Sequence, residues 1–98
     1  MIMPSQAHYK NIARRHMIDS QILTGAILNQ NVIEAMAAIP REEFVPLAYQ
    51  STAYVDEDLP IAADRFLMEP LAHARLLEAA QITRQDKVLD IACGTGYS

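Results

Sequence analysis

The run Lys87-Val88-Leu89-Asp90-Ile91-Ala92 constrains this chain more than any other segment. Branched aliphatics in a short stretch, bounded by the polar turn Thr83 to Asp86 and by glycines, read as a strand buried on both faces. Such a strand cannot satisfy its own backbone. Its N–H and C=O groups need neighbouring strands, and each one buried without a partner costs about 1–3 kcal/mol. Cys93-Gly94-Thr95-Gly96 follows at once, and glycines, lacking a Cβ, let a main chain approach a ligand closely. A strand leading through Asp90 into a glycine turn is the opening of a nucleotide-type site in an α/β sheet. The spacing alone leaves the ligand open. A dinucleotide fingerprint needs a further glycine or alanine three positions after Gly96 and an acidic residue about 20 positions later. Both fall past Ser98, so a plain strand-exit turn and a fragment of an NAD-dependent oxidoreductase stand beside other nucleoside sites.

Upstream, apolar residues recur roughly three and four apart. Tyr9, Ile12, Ala13, Met17 and Leu23 predict one amphipathic helix from Ser5 to Leu23, with Gly25 where it should stop. Asn31 followed by Glu34 has the spacing of a capping box, and Val32, Ile33, Met36 and Ala37 form the stripe of a second helix that Pro40 ends. Prolines and the acidic cluster Asp56-Glu57-Asp58 make residues 40–60 mostly connection, with a helical turn around Leu47 to Tyr49. Pro70 suits a first helical turn, where its missing N–H costs nothing, and Leu71, Ala74, Leu77 and Glu78 carry a third helix to about Ala80. The fragment is therefore expected to be mainly α-helical, with short extended segments and the first strand of a sheet. Residues 1–82 form a helical and loop segment, and 83–98 begin the sheet core.

Composition narrows the function classes. Of 98 residues, 51% are hydrophobic and 20% charged, as in an ordinary globular chain. A net charge of −4 offers no cationic surface for phosphates or anionic lipid, so neither nucleic acid nor membrane is an expected partner. No stretch approaches the ~18 apolar residues of a membrane span, and Pro4, Ser5, His8 and Lys10 interrupt the stretch a signal peptide would need. The single cysteine, Cys93, allows no internal disulfide and fits a reducing, cytoplasmic setting. It reads as a small residue in a tight loop rather than a catalytic thiol. His8, His16 and His73 lie far apart without ligand spacing, so they read as solvated or capping side chains, and no metal site is expected. The acidic cluster lacks the alternating ligands and glycine of a calcium loop and reads as a solvated turn.

Asp90-Ile91-Ala92-Cys93-Gly94-Thr95-Gly96-Tyr97 resembles the first motif of class I methyltransferases, an acidic residue followed by alternating glycines, with Ala92 in place of the usual first glycine. The likeness continues upstream in order. It takes in Ala13-Arg14-Arg15-His16-Met17, Gln21-Ile22, Val32-Ile33-Glu34-Ala35-Met36, Ile39-Pro40-Arg41-Glu42-Glu43-Phe44-Val45-Pro46, Ala53-Tyr54-Val55-Asp56 and Leu59-Pro60-Ile61. Together these resemble the N-terminal part of the protein-L-isoaspartate O-methyltransferase family. The resemblance implies a Rossmann-like parent that uses S-adenosylmethionine to methylate the α-carboxyl of L-isoaspartyl residues in damaged proteins or peptides. It assigns Asp90, Ala92, Cys93, Gly94, Thr95 and Gly96 to the cofactor.

Where the family carries Gln-Thr-Ile-Ser, this chain reads Arg65-Phe66-Leu67-Met68. Aligned on Pro60 and Pro70, Phe66 replaces the threonine and Met68 the serine, so neither donates to a substrate carboxylate. Arg65 takes the glutamine position, from which a guanidinium can grip a carboxylate with two hydrogen bonds. Arg65, Phe66 and Met68 are thus the candidate substrate residues. Phe66, Leu67 and Met68 read equally as an apolar wall over the cofactor or as packing against the Pro70 helix. Methyl transfer to a carboxylate needs orientation in a dry site and no general base, so the absence of a catalytic triad does not weigh against it. This polypeptide by itself is expected to bind S-adenosylmethionine poorly and to be inactive, with its lone strand solvated, frayed or paired with a second copy. A non-catalytic helical interaction module is the alternative.

Overall fold

A computed structural model describes residues 6–91 and 93–98; Ser5, where the spacing starts the first helix, and Ala92 lie outside them. Helix α1 spans Gln6–Met17 and continues into a π-helical turn over Ile18–Ile22. The wider turn is closed by Leu23 N–H donating to Ile18 O at 2.9 Å. Hydroxyls bond back along it, Ser20 Oγ to His16 O and Thr24 Oγ1 to Ser20 O, each at 2.6 Å. Burial falls on Met17, Ile18 and Ile22, while Tyr9, Ile12 and Leu23 of the predicted stripe stay 50, 54 and 48% exposed. The C-terminal end of this helix, not its whole length, meets the core.

Gly25 acts through space rather than through a positive φ, which falls on Ala26 at 64°. A Cβ on Gly25 would sit 2.3 Å from Leu71 Cδ1 and 2.9 Å from Gln21 O, so only glycine admits this approach.

Helix α2 spans Gln30–Ala38, and its cap is Asn29, two residues before the predicted Asn31. Asn29 has the extended backbone a cap requires, and its Oδ1 accepts from Asn31 N–H at 3.0 Å and Val32 N–H at 3.3 Å. The helix stops because Ile39 precedes Pro40, whose ring forces the preceding residue out of helical geometry; Ile39 lies at φ −84°, ψ 125°. Single 3-10 helical segments follow over Arg41–Phe44 and Leu47–Thr52.

A β-hairpin comes next, in a segment that propensity marks as connection. Strands β1 (Leu59–Ala62) and β2 (Arg65–Leu67) pair antiparallel, with Leu59 opposite Leu67, Pro60 opposite Phe66 and Ala62 opposite Arg65 across an irregularity at Ile61. Helix α3 spans Pro70–Ala80 as the sequence indicates, with Pro70 in its first turn and Gln81 closing it in a left-handed conformation at φ 51°. Asp58 anchors the hairpin to this helix by accepting Glu69 N–H at 2.7 Å, so one member of the acidic cluster is structural. Glu78 reaches back to accept the N–H groups of Leu28 and Asn29 at 2.7 and 2.8 Å, which ties α3 to the start of α2.

The core gathers Met17, Ile22, Ile27, Val32, Met36 and Val45 with Tyr54, Leu59, Leu67 and Ala74. The chain is mainly helical with short extended segments. The strand expected at 87–92 is the exception. Residues 87–91 are irregular, and Val88, Leu89 and Ile91 are 63, 82 and 80% exposed. The cause is the absence of a ladder, since the only sheet among the described residues is the β1-β2 pair. The turn ahead of the run does form, with Asp86 N–H on Thr83 O at 3.1 Å. No described helix is long and apolar enough to cross a membrane.

Candidate functional site

A cleft of about 800 Å³ opens between the hairpin, the far end of α3 and the tail. Arg65, Phe66 and Met68 line one side, and Asp90, Cys93, Gly94 and Thr95 line the other. The two segments singled out in the sequence therefore face a common space although more than twenty residues separate them. Gly96 is not among the lining residues, and Ala92 lies outside the described residues.

The strand alternation of β2 decides what Phe66, Leu67 and Met68 do. Leu67 is buried at 8% exposure against the core, whereas Phe66 and Met68 on either side are 61 and 40% exposed toward the cleft. The wall and the packing are both present: Leu67 belongs to the core and also lines the cleft, while its exposed neighbours line the cleft alone. Arg65 heads the strand at the hairpin turn, after Asp64 at φ 56°, and its guanidinium makes no hydrogen bond or ion pair among the described residues. It offers an uncommitted cation at the rim.

Across the cleft, Gly94 and Gly96 adopt φ 61° and 90°, and Gly96 N–H closes the turn on Cys93 O at 3.0 Å. A Cβ on Gly94 would stand 2.8 Å from Ile61 Cδ1, the movable end of a side chain, so it is chiefly the backbone angle that favours glycine here. Asp90 is exposed and accepts a hydrogen bond from Ser98 Oγ. Its carboxylate and the Arg65 guanidinium are the charged groups on otherwise largely apolar walls.

Behind the cleft sits a buried group to which no motif assigns a role. Arg41 has 0% exposure; its Nε donates to Ala53 O at 2.6 Å and its Nη2 to Met68 O at 2.8 Å. Its Cζ lies 5.2 Å from the centroid of Tyr97, the residue after the glycine turn. Tyr97 is wedged between Phe44 and His73, with ring centroids 5.5 and 5.4 Å away. Tyr54 completes the cluster, taking the N–H of Arg41 at 3.0 Å and donating to Glu42 Oε2.

Burial sets the electrostatics here. It pulls the Arg41 guanidinium below its ordinary value, against the opposing pull of Tyr97 and Tyr54. Burial and then the nearby Arg41 charge lower His73, so its ring stays neutral to lower pH, while Asp90 acts the other way. Desolvation raises the Tyr54 and Tyr97 hydroxyls, that of Tyr54 with help from its bond to Glu42. His73 is therefore neither solvated nor a cap, as its sequence context suggests, but a buried ring at 9% exposure on the cleft wall. Among the described residues no group of His, Cys, Asp and Glu is placed to hold a metal ion. Cys93 is exposed with a free thiol.

Residues 12–98 match the family model described as Protein-L-isoaspartate(D-aspartate) O-methyltransferase (PCMT). The chain is 49% identical over 84 residues to a protein-L-isoaspartate O-methyltransferase of Koribacter versatilis, a match covering 86% of the chain and 38% of the relative. A protein of the same name from Roseiflexus castenholzii is 44% identical over 85 residues, covering 87% of the chain and 38% of the relative. The one from Ignicoccus hospitalis is 42% identical over 84 residues, covering 86% and 40%. The chain thus spans about two fifths of the length of these curated relatives.

Proposed function

The chain belongs to the protein-L-isoaspartate(D-aspartate) O-methyltransferase family, and from that premise we propose that it forms the substrate-facing and cofactor-entry part of an S-adenosylmethionine-dependent enzyme that methylates isoaspartyl carboxylates in proteins. The observation that carries this reading is the shared cleft, which sets Arg65, Phe66 and Met68 opposite Asp90, Gly94 and Thr95. Residues 1–82 supply the helical scaffold and hairpin, and 83–98 open the Rossmann-like core. Cytoplasmic residence accords with the lone free thiol of Cys93.

The residues present fit S-adenosylmethionine. Gly94, at a positive φ and without a side chain, lines the cleft, and Asp90 lines it too. Asp90, Cys93, Gly94, Thr95 and Gly96, with Ala92 between them, are the residues assigned to hold it. The cofactor, when bound, supplies a methyl group already activated on a cationic sulfur. The protein's share is orientation: Arg65 grips the carboxylate to be methylated, and Phe66 and Met68 exclude water from it. His73, held neutral, is not needed as a base because a carboxylate is already deprotonated at neutral pH.

Incubating the intact protein, meaning this chain carried at the full length of its relatives, with methyl-labelled S-adenosylmethionine and paired peptides that differ only in an isoaspartyl or aspartyl linkage tests the reading. Base-labile label on the isoaspartyl peptide alone is the expected result. Label on neither peptide, or equal label on both, contradicts it.

A further inference from the structure

From Ala79 to Ser98 the described side chains are exposed, with one exception: Tyr97, at 9%. The glycine turn is therefore moored to the folded body through one ring. That ring enters a slot formed by Phe44, His73 and Arg41. Arg41 is itself unusual, being wholly buried with no carboxylate in hydrogen-bond contact and with Nη1, like the Tyr97 hydroxyl, left without a hydrogen-bond partner among the described residues, a costly placement for a charged group. Its uses point in two directions. Nη2 holds Met68 O, at the end of the hairpin that makes one cleft wall, and Cζ lies over the ring of Tyr97, which follows the turn that makes the other.

We propose that Arg41 and Tyr97 form a strut that sets the spacing between the two walls of the cleft, Arg41 as a positioning residue for the hairpin and Tyr97 as the latch of the glycine turn. The claim deepens the methyltransferase reading and rests on it for its functional consequence, but the strut has a geometric consequence of its own. Without the latch, the Gly96 N–H to Cys93 O bond and the seating of Gly94 against Ile61 lose what holds them. A merely stabilising core residue would not single out this turn.

Amide hydrogen exchange on the intact protein reads the strut directly. Tyr97→Ala is expected to speed exchange at Gly96 at least tenfold while the amides of helix α2 keep their rates. Tyr97→Phe, which keeps the ring contacts, is expected to restore protection. Arg41→Lys keeps the charge but loses the planar face and the two-carbonyl reach; it is expected to speed Gly96 exchange as well, and combined with Tyr97→Ala to add little further. Unchanged exchange at Gly96 in Tyr97→Ala, or additive effects of the two substitutions, would overturn the strut. Titration of S-adenosylmethionine into the same variants separates the two claims. Faster exchange with at least tenfold weaker binding supports both, whereas faster exchange with unchanged binding supports the strut and removes the cofactor assignment of the turn.

Discussion

Helix α3 and the aliphatic run that follows it are of similar apolar character, yet they end in opposite conditions. Pro70, His73 and Ala74 of the helix are buried, and Leu71 and Leu77 pack against the core. Val88, Leu89 and Ile91 remain mostly exposed. The difference lies in the backbone. A helix satisfies its N–H and C=O groups within itself and can then turn one stripe inward. A strand satisfies them only against a neighbour, so its side chains cannot be buried before a ladder exists. Between the two lies the cleft, with one wall built by self-sufficient elements and the other by a tail that one tyrosine holds in place.

Paired substitutions in the two regions should break this comparison if it is wrong. Met17→Ala, which empties a fully buried position, is expected to cost about 2–5 kcal/mol in denaturant unfolding. Leu89→Ala, at a position 82% exposed, should stay within about 0.5 kcal/mol. Similar losses at both positions would mean that the tail is packed after all. Within the tail, Gly94→Ala forces a non-glycine residue to φ 61° at a strain of about 1–2 kcal/mol and also drives a methyl against Ile61. Gly96→Ala meets no atom within 4 Å and carries only the backbone strain. Calorimetric titration of the intact protein should nonetheless show the greater loss of S-adenosylmethionine affinity for Gly94→Ala, because Gly94 lines the cleft and Gly96 does not.

A sharper contrast comes from the two asparagines before α2. Asn29→Ala should cost about 1 kcal/mol in unfolding free energy, and Asn31→Ala much less, because only Asn29 accepts helix-end N–H groups. The smallest effect concerns pH. His73 has a folded value below the 6.5 of a free side chain, so beneath that pH the unfolded chain binds more protons and stability rises with pH. Thermal unfolding followed from pH 5 to 7 should give a rising midpoint, and His73→Leu should flatten the slope.

These cases also show what could be read from the residues. Helix α3 was legible from end to end because Pro70 and the spacing to Glu78 act locally. The cap of α2 was displaced because Asn29 and Asn31 both suit that role, and only backbone geometry selects between them. The hairpin carries no sequence signature, since Leu59–Ala62 and Arg65–Leu67 are too short for a period and Asp64, rather than glycine, takes the positive φ. The run at 87–92 reads as a strand from its composition, which reports what a segment can pair with and not whether a partner is there. Of the site, the two facing segments were visible in the chain. Arg41 was not, because a charged residue in a proline-flanked turn gives no sign that its charge will be buried.

The most direct test of the facing walls is an NMR titration of the intact protein with S-adenosylmethionine. Resonances of Gly94 and Thr95 should move together with those of Arg65, Phe66 and Met68, along one binding curve. Shifts confined to one of the two segments, or centred on residues remote from the cleft, would contradict a single site built from both.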